Sequence, residues 1–192
     1  MKQEKIRISK PPEERKQEIM DTAMVVFAEK GYEQTTMRDI AEAVGIVPGL
    51  CYRYFESKQV LFEAAVRRYV SDYCAPIVQA LQAHRGDWEG GMACVTALFT
   101  KRDGEERYHS FFPKQENLSF HLLLSASLCD YLAPAVQEFL DSLRGQGAAE
   151  TGDTTSLAKF ILYGQIPIIN DEGISAKEKA KMIKEYVARL VK

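Results

Sequence analysis

The chain has 192 residues, with 25 Lys and Arg against 27 Asp and Glu, a net charge of -2 and a pI near 6.0. Hydrophobic residues make up 46% and charged residues 27%, too apolar for intrinsic disorder and too polar for a membrane bundle. No run of about 18 apolar residues occurs and the charged N-terminus leads into no apolar stretch, so neither a spanning helix nor a secretory signal is expected, and cytoplasm is the default.

The length allows one domain or two small ones. Near-neutral charge argues against binding nucleic acid by basicity alone. Cys51, Cys74, Cys94 and Cys129 and the scattered His84, His109 and His121 form no zinc spacing, so no metal and no cofactor is expected.

Residues 1–10 read as a polar, basic arm, ended by Pro11-Pro12. Glu13-Glu14 suit a helix N-terminus, Ile19, Ala23, Val26 and Phe27 recur at helical spacing, and Lys30-Gly31 closes this first helix on a left-handed glycine. Thr36-x-x-Asp39 is a capping-box pattern for a short second helix, whose inner face is Ile40, Ala41 and Val44. Gly45 follows where a sharp turn needs positive φ, and a third short helix runs from about Pro48 to Phe55. Two short helices around a glycine turn make a helix-turn-helix.

Ser57 is a good N-cap for a fourth helix bearing Leu61, Phe62, Ala65, Val66, Tyr69, Val70 and Tyr73, with Pro76 as its expected end or kink. Beyond it, segments 76–84, 88–101, 107–112, 118–131 and 132–144 read as helical. A Gly- and Ala-rich loop spans 145–153, Asp153 or Thr154 caps a helix to about 170, and Ser175-x-x-Glu178 opens the last one. No strand alternation occurs. The expected class is all-α: a three-helix helix-turn-helix domain over 11–56, then a larger helical domain over 57–192, connected through 57–75, with about nine helices in all.

Residues from about 15 to 66 resemble the N-terminal domain of the TetR family of bacterial transcriptional regulators. The carriers are Phe27-Ala28-Glu-Lys-Gly31-Tyr32, Thr35-Thr36-Met37-Arg38-Asp39-Ile40-Ala41, Val44-Gly45-Ile46, Gly49 with Tyr52-Arg53-Tyr54-Phe55, and Ser57-Lys58 with Leu61. The resemblance implies a ligand-responsive repressor that binds a palindromic operator in double-stranded DNA as a homodimer and is released by a small hydrophobic or aromatic effector. It implies phosphate or groove-edge contacts from Thr36, Arg38, Tyr52, Tyr54 and Lys58. Met37, Val47, Pro48, Gly49, Leu50 and Arg53 complete the expected DNA surface, Gly49 by permitting close approach.

This chain departs from the family's usual hydroxyl residues at Val47 and Leu50, and from its usual Leu at Cys51. Val47 cannot cap a helix through its side chain, which costs about 1 kcal/mol locally. Leu50 can meet a thymine methyl but cannot donate to a base. Residues 1–60 balance 10 Lys and Arg with 10 acids, so any DNA affinity must come from placement and from doubling in a dimer.

Tyr69, Tyr73, Trp88, Phe99, Phe111, Phe112, His121 and Tyr131 are the expected effector contacts, with plain core packing as the alternative for each. Leu157, Phe160, Ile161, Gly164, Ile168, Ile183, Val187 and Leu190 are the expected dimer face, with closure of the monomer core as the alternative. No nucleophile, acid or oxyanion motif accompanies Cys94 or Cys129, so an enzyme is not expected. The rival reading is a helical adaptor whose helix-turn-helix no longer binds DNA.

Overall fold

The computed structural model describes residues 10–101, 118–144, 152–171 and 173–191. Helix is the only regular secondary structure among the described residues, with no strand. Nine helical segments follow one another: α1 (Pro12–Lys30), α2 (Met37–Val44), α3 (Pro48–Tyr54), α4 (Lys58–Ala83), α5 (Trp88–Lys101), α6 (Leu118–Ser142), α7 (Thr154–Gly164), the single turn α8 (Ile166–Ile169) and α9 (Ala176–Val191). The chain divides into two compact units: the first ends at Val66 and takes in α6 as far as Phe120, and the second starts at Arg67 and His121. The division falls inside α4, the helix expected to connect the domains.

In the first unit, Ile19, Ala23 and Phe27 of α1 are fully buried together with Ile40 and Ala41 of α2, Cys51 of α3 and Leu61 of α4. Phe62 meets Phe27 edge-on at 4.9 Å between ring centroids and Tyr32 at 4.8 Å. Such aromatic packing adds about 1 kcal/mol per pair beyond burial. Gly31 has φ 79 and ψ 159, not the left-handed helical turn expected; that region is open to glycine almost alone.

The second unit has its own core of Leu81, Phe139, Leu140, Leu143, Ala158, Ile161, Val187 and Val191, with Trp88 stacked on Phe139 at 6.4 Å. Asp153 caps α7 by accepting from the Ser156 amide at 3.0 Å, while Thr154 is buried and donates to Asp141 at 2.8 Å. The Ser175–Glu178 box at the start of α9 forms as its pattern predicts.

Three prolines test the expected breaks. α4 runs unbroken through Pro76, and α6 runs through Pro134 as one helix where two segments were expected. A helix-interior proline costs about 3 kcal/mol. At both sites core residues bury on either side of the proline: Val70, Cys74, Ala80 and Leu81 around Pro76, and Cys129, Phe139 and Leu140 around Pro134. The helix expected to reach 170 instead breaks at Gln165. There Gly164 precedes Pro167 by three residues, and none of Ile166–Ile169 is fully buried, so less packing offsets the lost bond than at Pro76 or Pro134. The segment expected at 107–112, with Phe111 and Phe112, lies outside the described residues, as do 145–151 of the expected loop.

Candidate nucleic-acid interface

The candidate site is built on α2, the Gly45 turn and α3. Thr36 caps α2 by a complete box: its Oγ1 accepts from the Asp39 amide at 3.2 Å, and its own amide donates to Asp39 Oδ2 at 2.8 Å. Lys30 Nζ donates to Asp39 Oδ1 at 2.9 Å and so ties the end of α1 to the start of α2. The Thr36 hydroxyl first, and then Lys30, hold the Asp39 carboxyl well below its ordinary value of 3.8.

Gly45, at φ 77 and ψ 31, closes α2 in the left-handed conformation, and the Ile46 amide reaches back to the Ala41 carbonyl at 2.9 Å. That bond and the one from the Gly45 amide to the Glu42 carbonyl at 3.0 Å answer the orphan carbonyls of the helix end and set the exit angle. A side chain at 45 would find open space but a strained backbone. α3 then starts on Val47, which makes no side-chain cap, with Pro48 in the first turn.

Cys51 is fully buried and pins α3 to the core, and burial pushes its thiol pKa up. With that face inward, Val47 (62% exposed), Pro48, Gly49, Tyr52 (54% exposed) and Arg53 lie outward, while Leu50 and Tyr54 are half-buried. Arg38 is exposed on α2. Among the described residues neither Arg38 nor Arg53 enters an ion pair; Arg53 lies 5.9 Å from the Tyr54 ring centroid.

Three expected DNA residues are placed differently. Met37 is only 5% exposed and packs in the core, so it presents nothing to a groove. Lys58 Nζ donates to the Tyr32 carbonyl at 2.7 Å and sits 4.2 Å from the Tyr32 ring centroid, locking the start of α4 to the turn after α1. The Thr36 hydroxyl is already engaged with Asp39. Sequence reasoning missed Thr35, which is buried and donates to the Gly31 carbonyl at 2.7 Å. Its hydroxyl type is legible, but only the fold reveals which carbonyl it meets.

The expected effector residues lie in the second unit. Tyr69 and Tyr73 stack at 5.9 Å on α4, and the Tyr131 hydroxyl lies 3.3 Å from that of Ser71. Trp88 belongs to the core, and Phe99 and His121 are half-buried. Of the expected dimer residues, Ile161 and Val187 are buried in the core and Leu157 and Ile183 pack against it. Ile168 is half-buried, whereas Phe160 (65% exposed), Gly164 and Leu190 face outward, joined by Tyr163 and Tyr186.

A capped helix, a left-handed glycine turn and a second helix pinned by one face make a helix-turn-helix. Residues 19–65 match the family model described as "Bacterial regulatory proteins, tetR family". That match covers about a quarter of the chain and makes residues 19–65 similar to the N-terminal domain of that family. The chain is 41% identical over 58 residues to the HTH-type transcriptional repressor KstR2 of Rhodococcus jostii (strain RHA1), an alignment covering 30% of this chain and 28% of that protein. It is 30% identical over 89 residues to the HTH-type transcriptional activator FasR of Mycolicibacterium smegmatis, covering 46% of this chain and 41% of the relative. The chain thus spans less than half the length of either. The solved structure of AibR in complex with isovaleryl coenzyme A and operator DNA shares the fold, with a TM-score of 0.60 at 18% identity over 90% of this chain and 97% of that one.

Proposed function

We propose that the chain is a DNA-binding transcriptional regulator that represses as a homodimer on a palindromic operator and is released by a small hydrophobic or aromatic effector. The observation that carries this reading is the outward presentation of Val47, Pro48, Gly49, Tyr52 and Arg53 on a helix fixed by the Gly45 turn and by buried Cys51. A short helix held at a fixed angle with one free face is what a major groove admits. Repressor and activator both occur among its relatives; KstR2 and the S. aureus regulator IcaR, 42% identical over 52 residues, favour repression.

Dimerisation would cover the outward apolar side chains Phe160, Tyr163, Tyr186 and Leu190 of α7 and α9. Two-fold symmetry then sets two α3 helices against half-sites about 34 Å apart. The Tyr69–Tyr73 pair, on the same helix α4 that begins beside α3, gives an aromatic effector a place to act. An effector shifts the DNA-competent population only by its differential affinity for the two states.

Selection of bound duplexes from a random pool tests the reading. A palindromic site is expected, with Arg53→Ala weakening binding at least tenfold. Failure to enrich any site, with no salt-dependent binding to random duplex, refutes it.

A further inference from the structure

The first turn of α3 has an unusual chemistry for a surface that faces DNA. From Ile46 to Cys51 the sequence is Ile-Val-Pro-Gly-Leu-Cys. Only the Cys51 thiol could hydrogen-bond from a side chain, and it is fully buried. Pro48 removes a backbone donor as well. What this turn presents outward is the pair of Val47 methyls, the Pro48 ring and the bare Gly49 backbone, with half-buried Leu50 beside them. The donors of α3, Tyr52, Arg53 and Tyr54, all stand in its last turn.

Each base pair offers acceptors and donors in the major groove, and thymine alone adds a C5 methyl. Apolar side chains can distinguish only that methyl; they cannot tell the thymine O4 acceptor from the cytosine N4 donor. We propose that Val47, with Pro48 and Leu50, reads the C5-methyl group of a pyrimidine, so that the half-site carries a thymine recognised by its methyl and not by its hydrogen-bonding edge. This rests on the DNA-binding reading above and names what that site selects.

The open space beside Gly49 supports the placement. A Cβ built there meets nothing within 4 Å of its own chain, so glycine is not required by the fold at this position. Its absence of a side chain leaves the exposed Val47 methyls and Pro48 ring uncovered from that side. Removing one buried methyl costs about fourfold in affinity, and about fifteenfold when it is removed from both half-sites.

The test uses the full chain and the duplex recovered from random-pool selection, with each thymine replaced in turn by deoxyuridine, in both half-sites. At one thymine, deoxyuridine should lower affinity about fifteenfold, while 5-methylcytosine paired with guanine should stay within about threefold of thymine. Val47→Ala should bring the thymine-to-deoxyuridine ratio at that position close to one, and its urea midpoint would show that the fold persists. A ratio near one at every thymine, or strong loss with 5-methylcytosine, overturns methyl readout and leaves DNA binding intact. A chain that binds no duplex overturns both.

Discussion

Asp39 ties two helices of the first unit together, because it accepts from Thr36 and pairs with Lys30 at once. Its folded-state pKa is depressed, so the stability it adds is complete above its unfolded value of 3.8 and is lost as pH falls through the folded one. Asp39→Asn should therefore destabilise the first unit by a constant amount above about pH 5, and the difference from the parent chain should shrink as pH drops below about 4. Urea midpoints across that range check the sign; a gap that widens on acidification would contradict it. Thr36→Ala removes the other half of the box and should cost about 1 kcal/mol at neutral pH. The box was legible as Thr36-x-x-Asp39, because capping is local. The Lys30–Asp39 pair was not, since nothing in the spacing says where the end of α1 lies relative to α2.

Cysteine reactivity separates the buried from the accessible thiols at the same scale. Burial, and after it the charge of Asp130, pushes the Cys129 thiol up to about 11, and burial alone raises Cys51. A raised thiol pKa leaves almost no thiolate at neutral pH. At pH 7.5 iodoacetamide should label half-buried Cys94 first, with Cys51 and Cys129 following only at the rate of unfolding. Prompt labelling of Cys51 would mean that α3 lifts from its core.

At the scale of the elements, the three prolines show what sequence can and cannot say. Pro76, Pro134 and Pro167 carry the same local penalty, yet only Pro167 coincides with a break. The difference lies in tertiary burial: Phe139, Leu140 and Leu143 hold the second half of α6 in the core. The residues after Gly164 have a weaker hold: Ile166 packs partly buried against Cys129, Ala133 and Leu162, and none of Ile166–Ile169 is fully buried. Helix periodicity, caps and the Gly45 turn were therefore readable, while continuity through a proline was not. Pro134 is exposed, so Pro134→Ala should return part of the cost of about 3 kcal/mol and raise the thermal midpoint of the second unit. Pro167→Ala should extend helical backbone shifts from Tyr163 through Ile169. If Pro134→Ala lowered the midpoint, the ring would be making packing that the core requires.

For the whole molecule, a net charge of -2 first argued against nucleic acid, and the fold explains why that inference was too broad. Charge on a DNA reader matters only where the side chains are free to meet phosphate. Near α3, Lys30 is paired with Asp39, Lys58 donates to the Tyr32 carbonyl and Lys16 lies 6.0 Å from the Phe55 ring centroid, while Arg38 and Arg53 are exposed. Two cations per subunit make four in a dimer, and counterion release then gives a log–log salt slope of about -4. Tyr52 and Tyr54 can hydrogen-bond phosphate but release no counterion, so their replacement by Phe should weaken binding without changing the slope. Lys58 donates to the Tyr32 carbonyl but keeps its charge, so Lys58→Ala decides its role: an unchanged slope makes it a tie within the chain, and a shallower slope puts it on phosphate. Lys2, Lys5 and Arg7 precede the described residues in the sequence, and their participation would steepen the slope beyond about -4. Deleting residues 1–9 would then restore it to about -4, whereas a slope already near -4 in the full chain assigns the electrostatics of binding to Arg38 and Arg53 alone.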